Sequence, residues 1–274
     1  MNSFLEKSKI KILNYLRNYT FSYFYPDIYS YYNYLSIADL KKFKSSDKIF
    51  IFGSGYSLNN ISKGEYKYIN NYDSLSFNQF YKQDFIDLTY YLAREVGRSK
   101  NVLQMNETLS EFQENIHRDR YKNTTFLLQD DLTATMSLEI ESRFLLPKGS
   151  RISKFKTFSR KLVQPPESME SGFVHYGGTL SDALCFGYQM DYKEIILCGV
   201  DMNDRRYFFL EKNQPRDLDL QRNSSVTEPH KTKLPVISLI KEWLPCFVSK
   251  GKMLYNLNPD SELKNYLPLY KIGV

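Results

Sequence analysis

Two glycines separated by one serine follow the first strongly apolar segment of the chain. Residues 48–52 are typical of a parallel strand covered on both faces, and Gly53-Ser54-Gly55 follows directly. Glycine permits positive φ and close backbone approach, and the N–H groups of such a turn can hold a phosphate or ribose. The third glycine of the dinucleotide motif is missing, because Leu58 occupies its position. We predict a nucleotide site at Gly53, Ser54, Gly55 and Ser57, with a plain tight turn as the alternative.

Polar side chains follow two further predicted strands. Asn78 closes the strand predicted over residues 74–78, where an amide offers a donor and an acceptor to a base or ribose edge. Asp201 follows the strand predicted over residues 194–200, just after Gly199. Because ligands of open parallel sheets bind at the carboxyl ends of strands, we expect both side chains to face one crevice. Satisfying a local turn is the alternative role for each.

The sequence contains no clear pattern of metal ligands. Asp201 and Asp204 are close in sequence, but they do not form the Asp-x-Asp pair of metal-dependent transferases. The chain has three cysteines without a Cys-x-x-Cys pair, and its three histidines are not at ligand spacing. We therefore predict no metal site.

Candidates for acid–base and phosphate chemistry lie in the polar segment that follows Asp201. Arg205, Arg206 and Tyr207 place two guanidiniums and a phenol near a strand end, which suits a departing phosphate, or else they are solvated loop residues. His230 closes the same segment, and histidine is the natural general base near neutral pH. An incidental loop histidine is the alternative.

The two other histidines have different predicted roles. His175 and Tyr176 precede Gly177 and Gly178 and form another candidate pair at a helix start. His117 is interpreted as a surface helix residue.

The elements that must position these residues alternate between strand and helix. Further strands are predicted over residues 124–129 and 253–257, helices over 179–190 and 236–248, and a long loop over 203–230. This alternation predicts an α/β fold: a Rossmann-like, mostly parallel sheet with helices on both faces. We expect a single nucleotide-binding domain over residues 46–274, with residues 203–230 as a lid.

Residues 1–45 differ from the rest of the chain. A short basic amphipathic segment precedes a run of tyrosines between Tyr19 and Tyr34, which suits peripheral contact with an anionic membrane. An N-terminal helix packed on the core is the alternative. We assign this stretch to an appendage of the main domain.

The composition excludes some classes of protein. A hydrophobic content of 42% with 25% charged residues is that of an ordinary globular protein, and a net charge of +6 favours anionic ligands. Nucleic-acid binding is not expected, since the sequence has no long basic run and no RNA-binding motif. No secretory signal or transmembrane stretch is found, so we expect a cytoplasmic protein, peripheral at most at the inner face of the membrane. The aromatic excess, 16% of residues, favours a homo-oligomer.

Several of these segments together resemble one family. The chain is similar to bacterial sialyltransferases that decorate lipooligosaccharide with CMP-activated sialic acid. The similarity lies in residues 49–58, in Asn78-Gln-Phe-Tyr81, in residues 183–201 and in residues 254–263. It covers residues 48–263 in patches.

The resemblance implies a GT-A-like fold and an inverting glycosyltransferase that needs no cofactor. By this similarity His230 is the catalytic base, and Tyr207, helped by Thr179 or Arg206, stabilises the departing CMP phosphate. It implies donor contacts at Gly199, Asp201, Asn203, Pro259 and Ser261. The implied substrates are a CMP-linked acidic sugar and a cell-surface glycan acceptor.

The chain departs from the family pattern on the donor side. Ser54 replaces an asparagine, Asn203 and Tyr176 replace a tyrosine and an arginine, and Thr179 replaces a serine. Sialic acid, Kdo and related nonulosonates therefore all remain candidate donors.

Two other classes of function stay open. One is a nucleotide-dependent phosphotransferase or pyrophosphokinase-like enzyme that uses Mg²⁺ at Asp201 and Asp204. The other is a non-catalytic, membrane-associated protein of glycan assembly that acts through residues 1–45.

Overall fold

One parallel sheet organises the chain. The structure is a computed structural model that describes residues 26–94, 102–131, 135–159, 161–203, 205–215, 225, 228–229 and 231–273. Its eight-stranded sheet has the order β1-β6-β5-β4-β3-β2-β9-β10, and β7 and β8 form a separate parallel pair. The strands are β1 Asn33–Tyr34, β2 Lys48–Phe52, β3 Asp73–Phe77, β4 Tyr90–Ala93, β5 Thr125–Gln129, β6 Arg151–Phe155, β7 Thr157–Phe158, β8 Phe173–Val174, β9 Glu194–Cys198 and β10 Met253–Asn256.

The helices connect these strands. The α-helices are α1 Pro26–Tyr31, α2 Ile37–Lys42, α3 Lys63–Ile69, α4 Val102–Ile116, α5 Thr135–Ser142, α6 Thr179–Gln189 and α7 Lys233–Ser249. Short 3₁₀ turns span Tyr56–Asn60, Asn78–Lys82, Asp119–Tyr121, Met169–Ser171 and Glu262–Asn265. Among the described residues, none of the helices has both the length and the apolar character needed to cross a membrane.

Helices cover both faces of the sheet, as the apolar run of β2 predicts. Ile49 and Ile51 pack with buried residues of α6 and α7, while Phe50 and Phe52 pack with those of α3 and α4. All four side chains are fully buried. Adjacent side chains of a strand point to opposite faces, so only a strand buried on both faces is apolar at every position. The predicted α/β class is confirmed.

Part of the segment assigned to an N-terminal appendage joins the sheet. β1 pairs with β6, since Asn33 is in register with Arg151. Ile28 of α1 and Leu40 of α2 are fully buried, on opposite faces of the sheet. Residues 26–45 are thus part of the main core. The prediction of membrane contact through the basic stretch lies outside the described residues, which begin at position 26.

The predicted elements agree with the structure to within a few residues. The strands over 48–52, 124–129, 194–200 and 253–257 correspond to β2, β5, β9 and β10, and the two helices to α6 and α7. Trp243 is buried on α7, and its Nε1–H donates to the Leu162 carbonyl at 2.9 Å. The strand over 74–78 ends one residue earlier, because Asn78 has a φ of 57° and begins a 3₁₀ turn.

Candidate functional site

The strand order creates a crevice beside β2. From β2 the chain runs outward through β3, β4, β5 and β6, then returns to the other side of β2 as β9 and β10. Such a reversal opens a crevice at the carboxyl ends of the two central strands, where open α/β sheets bind ligands. The turn after β2 and the segment after β9 both lie at this reversal, as the sequence predicts.

The glycine turn is tied to the end of β9 by its own backbone. The N–H groups of Gly53 and Gly55 donate to the carbonyls of Cys198 and Gly199, each at 2.8 Å. The N–H of Ser57 donates to the Asp201 carboxylate at 3.0 Å. These donors already have acceptors within the protein. A phosphate or ribose at this turn would therefore be held by other groups, and the nucleotide contacts at Gly53, Gly55 and Ser57 stay a prediction.

Asp201 joins three loops at the base of the crevice. Its carboxylate accepts bonds from the Ser57 N–H, from the Ser57 hydroxyl and, at 2.9 Å, from the Asn258 side-chain amide. Gly55 packs so closely that a Cβ built there would lie 2.4 Å from an Asp201 carboxylate oxygen. A buried carboxylate with several protein donors is a strong organising contact. Asp201 thus holds together the segments that follow β2, β9 and β10.

The other residues predicted to contact the donor, which follow β9 and β10, differ from one another in burial. Ser261 is fully buried, and its hydroxyl donates to the Val200 carbonyl at 2.7 Å. It lies beneath the Asp201 loop and supports it. Pro259 and Asn203 are exposed, and both flank the crevice in sequence. Asn258, which holds Asp201, was not singled out from the sequence. Its signal was a position just after a strand, where an amide often bonds to a neighbouring loop.

The segment after Asp201 folds back over the glycine turn. Tyr207 forms an antiparallel bridge with Gly55, and the Phe208 N–H donates to the Ser54 carbonyl at 3.2 Å. Arg206 lies over the Tyr56 ring, with 5.2 Å from its guanidinium carbon to the ring centre. The segment that carries the phenol and guanidinium proposed for a departing phosphate is therefore brought to the predicted nucleotide turn.

Arg205 contacts the end of the predicted lid. Its guanidinium donates to the Pro229 carbonyl at 3.3 Å and lies 3.6 Å from the Glu228 carboxylate. The predicted base His230 lies outside the described residues, and so does Asp204. The same holds for residues 216–224 and 226–227 of the lid. Arg205 thus connects the segment after β9 to the residue that precedes His230.

The end of β3 meets the start of α6. The Thr179 hydroxyl donates to the Asn78 side-chain oxygen at 3.2 Å. Gly177 and Gly178, with φ of 78° and 147°, turn the chain into the helix just before Thr179. The sequence predicted donor contacts at Asn78 and Thr179 separately, and the structure pairs them.

Next to this pair, the end of β4 carries a charged cluster. The Nε2 atom of His175 lies 2.9 Å from an Arg94 terminal nitrogen, and its Nδ1 atom lies 2.6 Å from the Asp182 carboxylate. Asp182 is fully buried in the first turn of α6. Burial raises the pKa of its carboxyl above the ordinary value, while the bond from His175 opposes that rise. The sequence drew attention to His175 but not to Arg94 or Asp182.

Comparison with known proteins gives matches among solved structures. No family profile and no curated protein sequence matches the chain. The sialyltransferase CstII from Campylobacter jejuni, in complex with the substrate analogue CMP-3FNeuAc, matches with a TM-score of 0.42 and 17% identity over 81% of this chain and 85% of the other. The monofunctional α-2,3-sialyltransferase Cst-I from the same organism matches with a TM-score of 0.43 and 19% identity over 82% and 81%.

Metal ligands are sparse in the part of the chain that the structure describes. Among the described residues, no three His, Cys, Asp or Glu side chains gather to hold a metal ion. Asp201 accepts three bonds from protein donors, two at one carboxylate oxygen and one at the other.

Proposed function

We propose that this protein is an inverting glycosyltransferase that moves an acidic sugar from a CMP donor to a glycan acceptor. The observation that carries the proposal is the backbone bridge between Gly55 and Tyr207, which brings the segment that carries this phenol to the predicted nucleotide turn at the reversal of the sheet. The donor class comes from the motifs at residues 49–58, 78–81 and 183–201, which resemble those of CMP-dependent sialyltransferases.

The chemistry we propose is a single displacement. His230 takes the proton from an acceptor hydroxyl as that oxygen attacks the anomeric carbon, and the bond between this carbon and the CMP phosphate oxygen breaks. Tyr207 donates a hydrogen bond to the departing phosphate, stabilising charge that develops only in the transition state. Arg206 adds a positive charge on the same segment. Arg205 acts at a distance, by holding the Pro229 carbonyl next to His230.

The other roles proposed for this site follow from where its residues lie. We assign Asn78 and Thr179 to the sugar side of the donor, because this hydrogen-bonded pair lies one strand away from the glycine turn. The nucleotide end of the site is shaped by four residues, and not all of them contact the ligand: Ser57, Asp201, Asn258 and Ser261. The phosphotransferase alternative is less well supported, because its predicted metal ligand Asp201 already binds protein donors.

The first experiment is calorimetric titration with CMP, AMP and UMP, each with and without Mg²⁺. The proposal expects selective binding of CMP that does not require the metal. A preference for adenosine nucleotides with Mg²⁺ would instead support phosphotransfer.

The catalytic assignment is tested by Tyr207→Phe and His230→Ala. Loss of one transition-state hydrogen bond lowers kcat by about 10²–10³-fold, so we expect a fall of this size in Tyr207→Phe with CMP affinity retained. His230→Ala should abolish transfer while the protein still binds CMP. Asn213→Ala changes an exposed residue on the same segment that has no proposed role, and it is the matched control. Transfer that survives both substitutions would rule out these roles.

A further inference from the structure

Arg94, His175 and Asp182 form a charged cluster that the proposed reaction does not use. Arg94 follows β4, His175 follows β8, and Asp182 lies in the first turn of α6. β4 is separated from β2 by β3, so the end of β4 lies roughly 10 Å from the glycine turn, at about 4.8 Å per strand. The Asn78–Thr179 pair lies between them at the end of β3. The cluster is thus on the sugar side of the predicted nucleotide site.

The proton positions in this cluster follow from its chemistry. A guanidinium only donates hydrogen bonds, so the Nε2 atom of His175 accepts from Arg94 at 2.9 Å. The imidazole proton is then on Nδ1, which donates to the Asp182 carboxylate at 2.6 Å. His175 therefore links the Arg94 guanidinium to the buried Asp182 carboxylate through its two ring nitrogens.

This arrangement favours a positioning role for His175. Its Nε2 atom, which a general base would present to a substrate hydroxyl, is turned toward Arg94. A guanidinium carries its N–H donors in a planar fork, and the bond to His175 fixes the direction of that fork. Asp182, fully buried, fixes the imidazole in turn.

We propose that Arg94 binds the carboxylate of a sugar substrate, and that His175 and Asp182 are the residues that position it. A planar guanidinium matches a carboxylate in geometry and charge, which a neutral sugar hydroxyl does not. The location relative to the nucleotide rests on the proposed function, whereas the preference for a carboxylate does not. The carboxylate comes from one of two sources, the donor sugar or an acidic sugar of the acceptor.

The first test needs no nucleotide. The methyl glycoside of N-acetylneuraminic acid and its methyl ester are titrated separately, with binding followed by NMR. Wild-type protein should prefer the acid by about tenfold, the factor that corresponds to one moderate ionic contact. Arg94→Gln should lose this preference, and Arg94→Lys should keep part of it because the charge remains. Equal binding of acid and ester by the wild-type protein would overturn the proposal.

The positioning role has its own readout. A glutamine side chain can donate to Asp182 and accept from Arg94, whereas leucine can do neither. His175→Gln should therefore retain most of the acid-over-ester preference, and His175→Leu should lose it with Arg94 intact. Equal preferences in these two variants would rule out positioning by His175. Thermal melts show which variants fold. If Arg94→Gln does not fold, Arg94→Lys takes its place, and the expected result is then a reduced preference for the acid over the ester.

The source of the carboxylate is identified in a second step. If it belongs to the donor, Arg94→Gln weakens binding of CMP-3-fluoro-sialic acid and leaves CMP binding unchanged. If the carboxylate belongs to the acceptor, Arg94→Gln abolishes a preference for 3′-sialyllactose over lactose. The affinities for CMP and for CMP-3-fluoro-sialic acid then stay unchanged. No effect in either arm would overturn a substrate role for Arg94. A wild-type protein that binds no CMP but still prefers the acid would refute the proposed function and leave the carboxylate site standing.

Discussion

At the scale of single residues, the predicted nucleotide contacts divide into two kinds. The backbone of Tyr207 pairs with Gly55, and Arg206 lies over the Tyr56 ring. Hydrogen bonds of Ser57, Asp201 and Ser261 instead connect the loops that follow the strands. A carboxylate that accepts several protein hydrogen bonds organises a site even where it does not touch the ligand. Asp201 therefore contributes to function by holding the conformation of the glycine turn.

Asp201→Asn tests this organising role. The substituted amide keeps one acceptor oxygen but places an NH₂ group against the donors of Ser57 or Asn258. We expect a loss of about 1–3 kcal/mol in the free energy of unfolding, typical of a disrupted bond to a charged group, with weaker CMP binding. Ser57→Ala removes only the hydroxyl contact and should cost less. Urea denaturation and calorimetry measure both effects, and an unchanged Asp201→Asn protein would contradict the organising role.

Gly55 is required by close approach. A Cβ at this position would lie 2.4 Å from an Asp201 carboxylate oxygen and 2.7 Å from the Gly199 carbonyl oxygen. Because both oxygens are held by hydrogen bonds, we expect Gly55→Ala to cost about 1–3 kcal/mol, as overpacking does. Gly273→Ala is the matched control, since a Cβ there meets nothing within 4 Å. Equal stability of the two variants would show that the turn can open.

At the scale of elements, an ion pair joins the turn after α6 to the start of β10. Asp191, with a φ of 58°, accepts hydrogen bonds from the ammonium groups of Lys193 and Lys252, and Lys252 is almost completely buried. The bonds from Lys252 and Lys193 lower the pKa of Asp191 from 3.8 to about 2. The pair thus aligns the edge of the sheet that carries Asn258.

Asp191→Asn tests this pair without disturbing the backbone, because asparagine tolerates positive φ. We expect a loss of about 1 kcal/mol at pH 7, since solvent screens the exposed carboxylate, and a fall in Tm of roughly 2–4 °C. A lowered folded-state pKa stabilises the protein above pH 3.8, and this stabilisation is lost as the pH falls toward about 2. The difference between wild type and variant should therefore shrink in urea melts below pH 4. A difference that is constant with pH would exclude the charge as its cause.

At the scale of the whole molecule, the domain extends toward the N-terminus beyond residue 46. Ile28, Tyr32 and Leu40 are at most 3% exposed, and β1 completes one edge of the sheet. An experiment on the N-terminal arm therefore has to cut before residue 26 and leave these side chains in place.

Two truncations test this boundary. Removal of residues 1–45 deletes three buried side chains, each worth about 1.5–3 kcal/mol, so we expect a Tm lower by 10 °C or more, or an insoluble protein. Removal of residues 1–25 leaves every described contact intact and serves as the control. Equal melting temperatures for both proteins would show that residues 26–45 add nothing to the core. Transferase activity after removal of residues 1–25 would argue against the assembly function proposed for the arm.

The sequence by itself determined the fold class and the location of the central crevice. β2 and β9 are continuous apolar runs followed by glycine, and this pattern depends only on burial of both faces and on backbone freedom. The short strand Tyr90–Ala93 and the strand Arg151–Phe155 were missed, because four or five residues without clear flanking signals do not distinguish a strand from a helix segment.

Only the tertiary structure decided which polar residues meet. Arg94 and His175 are 81 positions apart, and Ser57 and Asp201 are 144 apart. These pairs form because the strand order places the ends of distant segments side by side, and the local pattern of residues does not contain that order. The same order explains why the N–H groups of the glycine turn bond to β9, an outcome that the motif Gly53-Ser54-Gly55 alone does not reveal. Local chemistry thus selected the candidate residues, and the packing of the sheet assigned their partners.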